Sequence, residues 1–79
     1  MIPKDVLLLK LKRCLDDEQG ASAHYARSKE DASFFSEFKP KEQERLKRSL
    51  LLLQQEAESH AVVFRRLIKT VEEAKQNDF

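Results

Sequence analysis

The sequence predicts an all-α fold: two long antiparallel helices, a helical hairpin, forming a four-helix bundle by dimerisation. Three observations predict it. Turn residues are scarce, with one Gly and two Pro in 79 residues, too few for an all-β chain. A single helix-breaking zone, Ser33-Phe34-Phe35-Ser36-Glu37-Phe38-Lys39-Pro40, separates two helix-prone stretches. Within each stretch apolar residues recur at alternating intervals of three and four, the rhythm of helices packed lengthwise on one another. The expected organisation is one hairpin domain over residues 1–79, with a helix over 4–33, a turn over 34–39 and a helix over 40–75.

The first helix opens at Ile2-Pro3-Lys4-Asp5. Proline suits the first helical position, where its missing N–H costs nothing, and an acid in the first turn favours the helix dipole. Its inward stripe reads Leu7, Leu11, Cys14 or Leu15, Glu18, Ala21, Tyr25, Ala32 and Phe35. On that reading Cys14 is a buried core thiol. Gly20 falls mid-helix, at a cost of about 1 kcal/mol against Ala. It marks either a close helix–helix approach or a break. The stripe continues through Ala21 and Tyr25 without a change of phase, so an unbroken helix is expected; a three-helix monomer broken at Gly20 is the alternative.

The turn gathers Phe34, Phe35 and Phe38, which either cap the end of the bundle or form an exposed docking patch. The second helix then opens at Lys39-Pro40-Lys41-Glu42, with the same start signals as the first. Its stripe is clearer: Leu46, Leu50, Leu53, Ala57, His60, Phe64, Leu67, Val71 and Ala74. Leu51, Leu52, Val63 and Ile68 widen it, so the helix has apolar surface for more than one neighbour.

Two helices of about 30 residues would each run roughly 45 Å. A hairpin of that shape has no third layer, and Leu51, Leu52 and Val63 stay in water. Self-association into at least a dimer is therefore expected.

Composition narrows the function. The chain is 41% hydrophobic and 37% charged, too apolar for a disordered charged tail. No apolar run approaches the roughly 18 residues of a membrane span. Met1-Ile2-Pro3-Lys4-Asp5 lacks the basic start of a signal peptide. The lone Cys14 cannot form an internal disulfide, which fits a reducing cytoplasm. A net charge of +1 gives no bulk attraction to nucleic acid or to an anionic membrane. The basic residues Lys41, Arg45, Lys47 and Arg48 are interleaved with Glu42 and Glu44, and read as a solvated face rather than a nucleic-acid footprint. A single Gly excludes a glycine-rich phosphate loop.

The polar residues that interrupt the stripes carry the functional signal. Glu18 lies in phase with Leu11 and Tyr25, and His60 with Leu53 and Phe64. A carboxylate facing a core needs a partner, because its desolvation costs several kcal/mol. A histidine or a metal ion would serve. Glu56 sits one turn before His60 on the same side of its helix. A dimer would present two copies each of Glu18, Glu56 and His60, a ligand set suited to iron, manganese or zinc. The other reading is metal-free: Glu18 and His60 pair across the seam and set the register of a dimerisation or adaptor module.

Glu18-Gln19-Gly20-Ala21-Ser22-Ala23-His24-Tyr25 resembles the first-helix signature E-x-x-A-x-x-x-Y of ferritin-like proteins, rubrerythrins especially. His60-Ala61, after a Glu-rich segment and before an apolar stripe, is similar to that family's second helix, E-x-x-H-A. The resemblance implies a half-bundle completed by dimerisation, an iron site using Glu18 and His60 with Tyr25 beside it, and a di-iron oxidase or peroxidase type of activity. In this chain the position three residues before His60 holds Ala57, and the nearest carboxylate is Glu56, at four. The implied site is then either rearranged or lost, with the scaffold retained.

Overall fold

The computed structural model describes all of residues 1–79. Three helices follow one another: α1 (Lys4–Lys29), α2 (Ala32–Phe35) and α3 (Pro40–Glu73). α1 and α3 pack side by side as a hairpin, with the short α2 in the connection. No helix is long and apolar enough to cross a membrane.

Helix boundaries follow local chemistry. Pro3 stands just outside α1 as its N-cap, one position earlier than the expected first helical site, and Asp5 occupies the first turn. α1 runs unbroken through Gly20 and stops at Lys29, short of the expected residue 33. The reason lies in Asp31. Its carboxylate accepts from the Phe34 N–H at 3.1 Å and the Ser33 hydroxyl at 3.0 Å, capping α2 as a separate turn. A short polar side chain offers the backbone this alternative to continuing a helix. These hydrogen bonds, that from the Phe34 backbone first, hold the Asp31 carboxyl below its ordinary 3.8.

α3 starts at Pro40, and the Glu42 carboxylate reaches back to accept from the Lys39 N–H at 3.3 Å. The Gln43 amide donates to the Phe38 carbonyl at 2.8 Å, tying the aromatic turn to the helix. Phe35 is buried, and Phe34 packs edge-on to it with ring centroids 5.1 Å apart. Lys47 Nζ stands 5.1 Å from the Phe35 ring centroid, within cation–π range. The knot thus closes this end of the hairpin, while Phe34 remains exposed.

At the other end the two termini are clasped. Ile2 and Phe79 exchange backbone hydrogen bonds at 2.7 and 2.8 Å, and the Lys4 N–H donates to the Asn77 carbonyl at 2.7 Å. α3 ends where Ala74 turns extended, and its last carbonyls are met by the Lys4 ammonium.

The molecule is a rod of 56 × 17 × 16 Å with a radius of gyration of 17.6 Å, against about 12 Å for a compact chain of this length. Five residues are buried: Phe35, Ala57, Ala61, Ile68 and Val71. None belongs to α1. Around them Leu7, Leu8, Leu11, Leu15 and Tyr25 of α1, and Leu46, Leu50, Gln54 and Phe64 of α3, are half-buried.

The seam of α3 therefore differs from the expected stripe at alternate positions. Leu46, Leu50, Ala57, Phe64 and Val71 face α1 as expected. Gln54, Ala61 and Ile68 replace Leu53, His60 and Leu67, all three of which are exposed. The small side chains of Ala57 and Ala61 explain the rotation: two helices come closest where their facing side chains are smallest. Cys14 is exposed rather than a core thiol, since a two-helix seam is too narrow to cover it. Gly20 marks no close approach within the chain, because a Cβ built there would meet nothing within 4 Å.

Candidate functional site

The centre of the hairpin carries polar crossings on both sides of the seam. On one side Glu18 of α1 meets His60 of α3, with Oε1 3.4 Å from Nδ1. The antiparallel register brings them level, and each lies at the rim of the seam rather than inside it. Glu18 keeps 27% of its side chain exposed and His60 keeps 60%. Water thus reaches both groups and screens the pair. His60 Nε2 has no partner in the chain.

Glu56, one turn before His60, is exposed and makes no hydrogen bond or ion pair. Within a single chain no three His, Cys, Asp or Glu side chains gather closely enough to hold a metal ion. Of the three expected donors, one hairpin brings Glu18 and His60 together and leaves Glu56 beside them on the outer surface. Tyr25, two turns beyond Glu18, is half-buried, its ring tilted against His24 at 5.9 Å between centroids.

The second crossing lies on the opposite side, at Glu58, which no stripe or motif of the sequence singles out. Glu58 Oε1 accepts from the Ser22 hydroxyl of α1 at 3.3 Å and from the Gln54 amide at 3.1 Å. Ser22 lies four residues after Glu18, and Gln54 four before Glu58; those intervals are the signal that could have revealed a polar bridge. The Gln54 carbonyl oxygen is buried with no hydrogen-bond partner. Beside this bridge runs a shallow groove of about 320 Å³, floored by Ala23, Ala26 and Ala61 and edged by Glu58 and Arg65.

Around the Glu18–His60 crossing lies an uncovered apolar surface. Leu52 is 56% exposed and Val63 51%, with Leu53 and Leu67 close behind. At about 100° per residue these four fall on one side of α3, with Glu56 and His60 midway along them. Ser49, Leu53, Glu56, His60, Val63, Leu67 and Thr70 form a second stripe of intervals four and three, parallel to the seam that faces α1. Helical phase places Cys14 and Ala21 on the neighbouring side of α1. The chemical capacity of this face is apolar burial with a central set of carboxylate and imidazole groups.

No protein-family model, curated protein or solved structure matches the chain.

Proposed function

We propose that the chain is a helical interaction module that works by pairing with a second copy through the Leu52–Leu67 face of α3, completing a four-helix bundle. Its accessible surface carries this reading. The hairpin exposes 6126 Å², whereas a folded chain of 9.2 kDa ordinarily exposes about 4,900 Å². The excess, about 1,200 Å² per copy, amounts to about 2,400 Å² for a pair, within the range of permanent homodimers. A symmetric pair buries one patch against its own copy, so a single stripe of leucines and valines serves both partners. Sedimentation equilibrium tests it. The expected mass is that of two chains, and Leu53→Glu with Leu67→Glu reduces it to one with helicity retained. A wild-type chain that sediments as one copy at working concentrations defeats the proposal.

A second reading is supported by the 3.4 Å approach of Glu18 to His60. Two copies would bring Glu18, Glu56 and His60 of each chain to one interior, and carboxylates with imidazole would suit iron, manganese or zinc. An oxidase or peroxidase activity would belong to the iron-loaded pair. Metal analysis of protein prepared with each ion, together with melting before and after its addition, tests this reading. A bound stoichiometric metal that raises the melting temperature supports it; a metal-free protein whose melting is unchanged by all three ions defeats it.

A further inference from the structure

We infer that the two copies pair antiparallel along α3, with Glu56 of each lodged against His60 of the other, so that every His60 bridges a carboxylate of its own chain and one of its partner's. The inference rests on the self-association proposed above and names its geometry.

The uncovered stripe of α3 has two kinds of position. Ser49, Glu56, Val63 and Thr70 occupy one, and Leu53, His60 and Leu67 the other. Helices that pair antiparallel set the first kind against the second; parallel helices set each kind against itself. Antiparallel pairing thus places Leu53 against Val63, Ser49 against Leu67, and Glu56 against His60. Parallel pairing would set Glu56 against Glu56 and His60 against His60, and like charges facing across an interface disfavour the assembly.

Three further observations agree. The imidazole Nδ1 is turned to Glu18 and Nε2 is unpartnered, while an imidazolium donates from both nitrogens. Glu56 is likewise unpartnered and lies at the middle of the stripe. The two-fold axis of this arrangement falls level with residue 58, near the midpoint of α3 (Pro40–Glu73), so the helices overlap along almost their whole length. The register that satisfies the charges also sets Leu53 of each copy against Val63 of the other. Neither copy holds the complete carboxylate–imidazole–carboxylate array alone.

The test uses the full chain with Cys14→Ser, in chelator so that no metal contributes. Leu53→Cys and Val63→Cys variants are oxidised separately and mixed. Antiparallel pairing yields a disulfide-linked heterodimer from the mixture and little linkage from either alone. In parallel, Glu56→Lys and His60→Glu are each expected to weaken association at least about tenfold, and mixing the two is expected to restore it, because each faces its opposite charge in the heterodimer. Rapid cross-linking of Leu53→Cys with itself, or mixing that restores nothing, overturns the geometry while leaving self-association standing. A wild-type chain found as a single copy overturns both.

Discussion

The Lys4 ammonium donates to the Ala74 carbonyl at 2.6 Å and to the Glu72 carbonyl at 3.2 Å, so the first residue of α1 caps the last turn of α3. The end carbonyls of a helix have no partner within it, and a cation there also meets the negative end of the dipole. Lys4→Met keeps the aliphatic stem and removes the donor. The expected loss is about 1–2 kcal/mol, with faster amide exchange at Ala74, whose N–H bonds Thr70 and Val71. Unchanged exchange there would mean that the clasp contributes nothing.

Ala57 and Ala61 are buried one turn apart at the middle of α3. Enlarging either forces the helices apart where they meet on small side chains. Ala61→Leu is expected to cost about 1–3 kcal/mol, read as a lower melting temperature, while the same change at exposed Ala23 costs little. Equal melting of the two variants would contradict the close approach at Ala61.

Gly20 has helical backbone geometry and open space where a Cβ would stand. Gly20→Ala is therefore expected to stabilise the chain by about 1 kcal/mol, a rise of about 4–8 °C in Tm for a domain of this size. A fall in Tm would show that the glycine meets something outside the single hairpin.

Asp31 carries the acid sensitivity of the connection. Its folded carboxyl lies below the ordinary 3.8, so its contribution is fully present above about pH 4 and is lost as pH falls through the folded value. Asp31→Asn retains a capping oxygen and loses the titration. Thermal melts between pH 5 and pH 2 are expected to show a decline attributable to residue 31 in the wild type and not in the Asn variant. Asp31→Ala is expected to melt lower already at neutral pH.

Much of the fold was legible before any coordinate. Pro40 and Glu42 announced the start of α3, and the aromatic zone announced the end of the first helix. The exact stop at Lys29 was not legible, because it depends on whether Asp31 continues a helix or caps a new one; both choices satisfy local propensity. Of the candidate site, the pairing of Glu18 with His60 was one of two readings offered by in-phase polar residues on two antiparallel stripes, the other being a shared metal ion. Its position at the rim was not legible, and neither was the Ser22–Glu58–Gln54 bridge, since a solvated glutamate and a bridging one read alike along a chain.

Local order in the chain was enough to establish two long helices, the break between them and the broad side each turns inward, because propensity, capping and periodicity act over a few residues. Whether α3 would present Leu53, His60 and Leu67 or Gln54, Ala61 and Ile68 to its neighbour was settled by packing. The distance between two helix axes is a property of both facing surfaces. Ala57 and Ala61 allow α1 to come close, and that rotation of α3 leaves a line of leucine and valine, with His60 and Glu56 at its centre, facing outward.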